Sequence, residues 1–516
     1  MEALDWLVIG VFFLALIGII VWVVRQKQND SADYFLGGRD ATWLAIGASI
    51  FASNIGSEHL IGLAGAGASS GMAMAHWEIQ GWMILILGWV FVPFYSRSMV
   101  YTMPEFLERR YNPQSRTILS VISLVSYVLT KVAVTVYAGG LVFQQVFGIK
   151  ELWGIDFFWI AAIGLVVLTA LYTIFGGMKS VLYTSVLQTP ILLLGSLIIL
   201  VLGFKELGGW DEMMRVCGAV TVNDYGDTMT NLIRSNDDAN FPWLGALIGS
   251  AIIGFWYWCT DQFIVQRVLS GKNEKEARRG TIFGAYLKLL PVFLFLIPGM
   301  IAFALHQKYI GAGGEGFLPM LANGTANADA AFPTLVAKLL PAGVKGLVVC
   351  GILAALMSSL ASLFNSSAML FTIDFYKRFR PETPEKKLVG IGQIATVVIV
   401  ILGILWIPIM RSVGDVLYTY LQDVQSVLAP GIAAAFLLGI CWKRTSAQGG
   451  MWGLIAGMVI GLTRLGAKVY YSNAGEVADS TFKYLFYDMN WLFFCGWMFL
   501  FCIIVVIVVS LATEAP

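Results

Sequence analysis

The sequence has little charge, little histidine and no closely paired cysteines. Only 13% of its 516 residues are charged, whereas soluble domains carry roughly 25%. Its net charge of +1 gives no field that would attract nucleic acid or a polyanionic partner. The six cysteines include no CxxC spacing, so neither a disulfide framework nor a zinc site is indicated. These absences exclude an ordinary soluble protein and argue against a nucleic-acid-binding one.

Long apolar runs are abundant instead. A helix needs roughly 20 apolar residues to cross a bilayer. Such runs lie at about 4–24, 43–66, 74–96, 118–146, 156–177, 182–205, 242–265, 280–306, 343–376, 388–410, 416–440, 448–470 and 489–511. They predict an all-α polytopic membrane protein with about 13 spans. The first run is too long for a signal peptide and lacks a small-residue cleavage site, so we expect a retained helix.

Basic residues fall in alternate loops. One set of loops carries most of the Lys and Arg, including Arg97, Arg116, Arg267 and Lys377, while the longest opposite loop, 206–241, is acidic. Since cytoplasmic loops hold the basic excess, we expect the N-terminus outside, the C-terminus in the cytoplasm and a plasma-membrane location. The external loops 206–241 and about 307–342 are candidate lids, or solvated connectors without a function.

Polar residues interrupt the second span. It reads ASIFASNIGSEHLIGLAGAG, with Asn54, Gly56, Glu58 and His59 near its centre. Glycines and hydroxyls there are typical of an unwound stretch whose free carbonyls bind a cation, as in the discontinuous helices of secondary transporters. The alternative is a continuous helix that packs closely through small residues.

Acids and amides lie beside aromatic residues in two further spans. The third span contains HWEIQGW, with Glu78 between Trp77 and Trp82, and a later span contains WYWCTDQFIVQR. A sugar stacks its C–H faces on aromatic rings and pairs its hydroxyls with acids and amides. Aromatic residues alone are more often interface belts, so the prediction of a sugar site depends on their pairing with buried acids.

Three other polar groups lie deep in apolar runs. Lys288 in AYLKLLPVF and Gln422 in YTYLQDVQ are candidates for solute binding. A neutral sugar can use a Lys as a hydrogen-bond donor if Glu78 or Asp261 offsets the charge. For Lys131, we expect a structural ion pair.

A serine-rich run, GILAALMSSLASLFNSS, places Ser358, Ser359 and Ser362 close together. Neighbouring hydroxyls near the carbonyls of a broken helix would form an all-oxygen site that suits Na⁺. Membrane serines more often bond to their own backbone, so this run alone is weak evidence.

Taken together, these segments resemble the sodium/solute symporter family, specifically its sodium/glucose cotransporter branch. The resemblance extends from about DYFLGGRD to Leu462. Its motifs are FASNIGSEHLIGLAGAGAS, TMPEFLERRY, LYTIFGGMKSVLYT, WYWCTDQFIVQR, GAYLKLLPVFLFLIPGMI, ALMSSLASLFNSSAMLFTIDFY and LAPGIAAAFLLGICWKR.

The resemblance implies a LeuT-type core of two inverted five-helix repeats. These correspond to about 42–205 and 242–440 in this chain. A leading helix and linker (1–41), the external loops 206–241 and 307–342, and trailing helices (441–516) complete the expected organisation.

The family's functional positions carry over to residues of matching type. The implied sugar-binding residues are Asn54, His59, Glu78, Tyr257, Trp258, Lys288 and Gln422. Tyr257 is the implied inner gate, and Leu63, Trp77 and Tyr418 form the implied outer gate. The implied sodium site comprises Ala52, Ile55, Ala355, Ser358 and Ser359.

Three departures from the family pattern affect the prediction. Ser185 stands where members often have Asp, and Ala361 stands where a second cation site has a hydroxyl. We therefore expect one sodium ion per solute. Gly254 stands where members often place a polar side chain near the sugar, which leaves the particular sugar open.

These features predict Na⁺-coupled symport of a neutral, glucose- or galactose-like sugar by alternating access. The alternatives are transport of a polyol such as inositol or of a sugar acid, and a sugar sensor that does not transport. No nucleophile, base and orienting group occur together, which argues against an enzyme.

Overall fold

A computed structural model describes residues 1–26, 30–56, 58–321, 324–413, 417–473 and 478–515. The side chains at 129–130, 409–413, 417–423 and 472–473 lie outside this description. The described chain is mostly helical, and a short antiparallel hairpin pairs strand Glu151–Leu152 with strand Ile155–Asp156.

Most of the helices follow one another with short connections, and the longest gaps lie between Gly218 and Trp243 and between Gly311 and Ala328. The α-helices are Ala3–Val24, Ser31–Leu36, Trp43–Asn54, Ala64–Ser70, Ala75–Ile79, Met83–Ile86, Val92–Ser98, Met103–Arg110, Pro113–Ser126, Ala133–Phe147, Phe157–Leu207, Trp210–Gly218, Trp243–Phe255, Gln262–Leu269, Glu274–Leu287, Ile297–Gly311, Ala331–Leu339, Val344–Met369, Lys377–Phe379, Glu385–Val413, Leu417–Cys441, Ala447–Asn473, Thr481–Lys483 and Trp491–Ala512. Wider π-helical segments are Glu58–Leu63, Leu87–Phe91, Tyr127–Val132, Trp256–Thr260, Val292–Leu296, Leu370–Tyr376 and Tyr484–Asp488. Tighter 3-10 segments are Gly37–Arg39, Gly71–Met74, Gln80–Trp82 and Ala328–Ala330.

Ten helical stretches in the described residues are long and apolar enough to cross a bilayer. Helix Phe157–Leu207 has 51 residues and bends at Gly177, where φ is +53°. A Cβ at Gly177 would lie 2.4 Å from the carbonyl oxygen of Tyr34, so glycine is required both for the conformation and for the contact. At roughly 20 residues per span this helix is long enough for two crossings, but a total of about 13 stays a prediction.

The second expected span is a broken helix. Helix Trp43–Asn54 ends before Ile55, whose backbone is extended (φ −78°, ψ 102°), and winding resumes at Glu58. A Cβ at Gly56 would lie 2.7 Å from Oγ of Ser359, so glycine permits helix Val344–Met369 to approach the break. The alternative of a continuous helix is wrong. We call Trp43–Asn54 with Glu58–Ser70 the first broken helix, and Val344–Met369 the serine helix.

A second break lies opposite the first. The chain winds helically over Trp243–Thr260, is extended at Asp261 (φ −76°, ψ 126°) and resumes as helix Gln262–Leu269. The Asp261 carboxylate accepts a hydrogen bond from the backbone N–H of Phe263 at 3.2 Å, which caps the second half. We call this unit the second broken helix. Asn54 Nδ2 donates to the Tyr257 hydroxyl at 2.9 Å and joins the two breaks.

Both long loops predicted to be external pack near the second half of the first broken helix, one against its residue Gly65 and one against Met72 in the 3-10 segment that follows it. In loop 206–241, the Met229 carbonyl accepts from the N–H of Met72 at 2.8 Å. In loop 307–342, Asp329 is so close to Gly65 that a Cβ there would lie 2.7 Å from Oδ1. Burial raises the pKa of Asp329 to about 6. The role of either loop as a lid stays a prediction.

Candidate substrate and cation sites

A small cavity lies between the two broken helices. It is lined by Asn54, Glu58, His59, Trp77, Glu78, Gln80, Ile253, Tyr257, Trp258, Lys288 and Gln425. Its volume of about 20 Å³ holds about one water molecule. A sugar-sized solute can therefore enter only when the surrounding helices separate.

The cavity contains most of the predicted sugar-binding residues. Asn54, His59, Glu78, Tyr257, Trp258 and Lys288 all contribute to its lining. The side chain of Gln422 lies outside the described residues, although its backbone belongs to helix Leu417–Cys441. One turn further along that helix, Gln425 lines the cavity. The structure thus brings together the six predicted positions whose side chains it describes, and their role in binding stays a prediction.

A buried acid, base and imidazole form the polar wall of the cavity. Lys288 Nζ lies 2.6 Å from Glu78 Oε2 and 2.7 Å from His59 Nε2. His59 Nε2 lies 3.1 Å from Glu78 Oε1, and no side chain of the three is more than 4% exposed. Buried charges in a membrane protein require such pairing. Glu78 therefore offsets the charge of Lys288, as the sequence predicts.

Several buried polar atoms around this wall have no protein partner. Among the described residues, Asn54 Oδ1, His59 Nδ1 and Gln80 Oε1 make no hydrogen bond. Leaving a buried polar atom unpaired costs about 1–3 kcal/mol. A molecule with several hydroxyl groups has both the donors and the acceptors needed to satisfy these atoms.

Aromatic rings complete the cavity. The rings of Tyr257 and Trp258 lie 4.9 Å apart at 85°, and Lys288 Nζ lies 5.6 Å from the Trp258 ring centre. Trp77 contacts Trp491 at 5.8 Å between ring centres. Leu63 is buried at 1% exposure but lies outside the cavity lining. The gate roles of Leu63, Trp77 and Tyr257 stay predictions.

The fourth predicted gate residue, Tyr418, belongs to helix Leu417–Cys441, and its side chain lies outside the described residues.

Lys131 forms the expected ion pair next to Tyr257. Its Nζ lies 2.6 Å from Oδ2 of Asp261, whose other oxygen accepts from the hydroxyl of Tyr127. The ammonium group also lies 4.7 Å from the Tyr257 ring centre and 4.9 Å from that of Phe263. This pair holds the second break against π-helical segment Tyr127–Val132.

An oxygen-rich position lies where the serine helix meets the first break. Ser359 Oγ donates to the carbonyl of Ser53 at 2.7 Å and lies 3.5 Å from that of Ile55. Ser358 Oγ lies 3.2 Å from Ser185 Oγ and 3.4 Å from Ser53 Oγ. The remaining predicted positions, Ala52, Ile55 and Ala355, are at most 1% exposed. Hard cations prefer such oxygen ligands, and sodium binding by this set stays a prediction.

Arg267 corrects one part of the sequence analysis, which assigned it to a cytoplasmic loop. It is 1% exposed, and its guanidinium donates to Ser53 Oγ at 2.8 Å and to Ser49 Oγ at 3.2 Å. It also lies 5.0 Å from the ring centre of Phe263. The charge of Arg267 alone predicts a loop, whereas the chain after the second break is the buried helix Gln262–Leu269. A fixed positive charge therefore adjoins the serine hydroxyls.

Four cavity residues are absent from the predicted set, namely Glu58, Gln80, Ile253 and Gln425. Glu58 and Gln80 do lie in the polar motifs of the second and third predicted spans. Which side chain in such a motif faces the cavity depends on the break at Ile55 and on the 3-10 segment Gln80–Trp82, because both change the helical rotation.

Two helices broken at mid-length, with a polar cavity between them and an oxygen-rich position beside it, define a secondary transporter with discontinuous helices. The profile of the sodium:solute symporter family matches residues 34–457. The chain belongs to that family.

Curated relatives resemble it over its whole length. The sodium/myo-inositol cotransporter 2 of Mus musculus is 37% identical over 530 residues, covering 100% of this chain and 78% of the relative. The sodium/glucose cotransporter 1 of Ovis aries is 38% identical over 532 residues, covering 99% and 79%. Both are sodium-coupled cotransporters and not enzymes. The chain is accordingly a multi-pass, sodium-coupled membrane transporter.

Solved structures establish the fold. A Na⁺-coupled sialic acid symporter, in a substrate-bound outward-open state, matches with a TM-score of 0.79 at 21% identity, covering 100% of this chain and 98% of that one. MhsT in complex with L-phenylalanine matches with a TM-score of 0.52 at 13% identity, covering 92% and 99%. These likenesses confirm the expected LeuT-type fold.

Proposed function

We propose that this transporter carries a neutral sugar of the glucose or galactose type together with one sodium ion. The observation that supports this most is the cavity wall of His59, Glu78 and Lys288. Its ammonium and carboxylate are 2.6 Å apart, so their charges cancel when the imidazole is neutral. The unpaired polar atoms beside it match a solute with many hydroxyls and no charge of its own.

The cavity chemistry favours a ring-shaped neutral solute over an anion. Trp258 and Tyr257 offer apolar ring surface for the C–H faces of a sugar. Glu58, which also lines the cavity, places a second carboxylate near the solute. Among the described residues that line the cavity, Glu58 and Glu78 carry carboxylates and Lys288 carries the one ammonium group, so a sugar acid would meet an excess of negative charge.

Sodium would couple to the solute through the first broken helix. In our proposal Na⁺ binds the carbonyls of Ala52, Ile55 and Ala355 and the hydroxyls of Ser358 and Ser359, and holds the serine helix in an outward-open arrangement. Coupling requires that sodium bind this arrangement better, by typically about 1–3 kcal/mol. The membrane potential then adds about 2.3 kcal/mol per charge per 100 mV.

The solute would complete the cycle by closing the gates. Sugar bound in the cavity would draw Leu63, Trp77 and Tyr418 together as the outer gate, while Tyr257 would separate it from the opposite side. We place the N-terminus outside and the C-terminus in the cytoplasm of a plasma membrane, in agreement with the basic loops.

One sodium per sugar is supported by the surroundings of Ser185. A second site in this region would need a carboxylate, and here the Ser185 hydroxyl donates to the carbonyl of Val181 at 2.6 Å. Ala361, fully buried, offers no oxygen.

A cyclic polyol such as inositol is the second candidate. The relative from Mus musculus is a sodium/myo-inositol cotransporter, and an inositol ring presents hydroxyls much as a sugar does. A sensor that binds sugar without transport would share this cavity, and the transport assay below separates the two.

Uptake into proteoliposomes under an imposed Na⁺ gradient tests the proposal. A panel of hexoses, inositols and sugar acids should show Na⁺-dependent accumulation of a hexose above the others. Gln422→Glu should lower uptake without abolishing sodium binding, and Ser359→Ala should weaken sodium dependence. Accumulation of an inositol alone would favour the second candidate, and uptake indifferent to Na⁺ would refute symport.

A further inference from the structure

Gly254 leaves a space that another side chain occupies. A Cβ at Gly254 would lie 2.4 Å from Gln80 Oε1 and 3.3 Å from Gln80 Cδ. The amide of Gln80 therefore lies where the first atom of a side chain at position 254 would be. Any residue larger than glycine would force this amide to move.

The Gln80 amide is buried yet incompletely bonded. The residue is 6% exposed, lines the cavity beside Ile253 and Glu78, and starts the 3-10 segment Gln80–Trp82. Its Oε1 accepts no hydrogen bond from the residues that the structure describes. A buried acceptor of this kind is unfavourable unless a ligand or water supplies a donor.

We infer that Gln80, whose amide occupies the space left by the missing side chain of Gly254, is a specificity-determining residue that binds one hydroxyl group of the solute. This inference rests on the proposed transport of a neutral polyhydroxy ring. An amide is suited to bind a hydroxyl group because its Oε1 accepts a hydrogen bond from the O–H and its Nε2 can donate a hydrogen bond to the hydroxyl oxygen. The recognised class is a sugar or cyclic polyol with a hydroxyl directed towards helix Trp243–Phe255.

The experiment measures Na⁺-driven uptake of the preferred solute and of its monodeoxy analogues. Wild type should discriminate against one deoxy position by at least about tenfold in kcat/KM, because that analogue leaves Gln80 unpaired. Gln80→Met, which keeps the length but removes the amide, should raise KM for the parent solute by about tenfold and lose this discrimination. Other deoxy positions should keep their ranking.

Two further variants test the same contact without relying on Gln80→Met alone. Gly254→Ala should displace the amide and raise KM although Gln80 is intact. Gln80→Met combined with Gly254→Ser places a hydroxyl at position 254 and should restore part of the discrimination. Gln145→Met, at an exposed glutamine away from the cavity, is the matched control and should leave uptake unchanged.

The results separate this inference from the proposed function. If wild type takes up sugar with Na⁺ but Gln80→Met and Gly254→Ala keep KM within about twofold and the same deoxy ranking, Gln80 has no role in recognition and the inference is wrong. If wild type shows no Na⁺-driven uptake of any neutral sugar or polyol, the proposed function itself fails and the inference fails with it.

Discussion

The ion pair between Glu78 and Lys288 should be strongly interdependent. Each side chain is at most 4% exposed and the charged atoms are 2.6 Å apart, so removal of either partner leaves a buried charge with the neutral imidazole of His59 beside it. Such a loss typically costs about 3–5 kcal/mol. We therefore expect Glu78→Gln and Lys288→Met to lower the free energy of unfolding by that amount each. The double variant should recover much of the loss, because it buries no charge.

Reversible unfolding in mixed detergent, followed by tryptophan fluorescence, measures these differences as a double-mutant cycle. The coupling energy should exceed about 2 kcal/mol, whereas the more accessible pair of Arg109 (51% exposed) and Glu105 (15% exposed), also 2.6 Å apart, should give less than about 1 kcal/mol. All three cavity variants should lose sugar uptake. A coupling energy no larger than that of the Glu105–Arg109 pair would show that the charges of Glu78 and Lys288 do not balance each other. The argument for a neutral solute would then fail.

Three further outcomes follow from the described contacts. Ser359→Ala removes a hydroxyl beside the first break and should raise the sodium concentration for half-maximal uptake by at least about tenfold, since one oxygen ligand of a hard cation is lost; unchanged sodium dependence would contradict the cation site. Reversal potentials should show that the wild type moves one charge with each sugar molecule, and that the double variant Ser185→Asp with Ala361→Thr moves more than one. Two charges per sugar in the wild type would contradict the proposed stoichiometry. Burial raises the pKa of Asp329 from 3.8 to about 6, so its ionisation lowers the stability of the folded protein as pH rises through that interval. Asp329→Asn should therefore stabilise the protein by about 1–3 kcal/mol above pH 6 and leave its stability unchanged below pH 4. Equal stabilisation at both pH values would show that the charge is not the cause.

The sequence allowed the membrane class and the broken second span to be predicted because each depends on local composition, whereas the family was predicted from the resemblance of several long motifs. Glycine and hydroxyl residues around Asn54 make a continuous apolar helix unfavourable, and the structure has its break at Ile55. Lys131 required a partner for its charge, but which acid would supply it could not be read from the motif. Its pairing with Asp261 depends on how the second break packs against segment Tyr127–Val132.

The sequence did not show which side chains face the cavity. Gln80 faces the cavity because it lies in a 3-10 turn, and Gln425 faces it because helix Leu417–Cys441 packs nearby. Neither feature can be predicted from the spacing of apolar residues in one sequence. Arg267 was misplaced for a related reason. The rule that assigns basic residues to cytoplasmic loops does not account for a guanidinium drawn inward to serine hydroxyls by a helix that restarts at Gln262.

Sugar-driven sodium efflux tests directly whether sodium and sugar move together through this transporter. Proteoliposomes loaded with the preferred sugar, with equal Na⁺ on both sides and the membrane potential held at zero, should show net efflux of radioactive sodium as sugar leaves, although sodium itself starts with no gradient. One sodium should leave per sugar. Sugar efflux without movement of sodium would contradict the account.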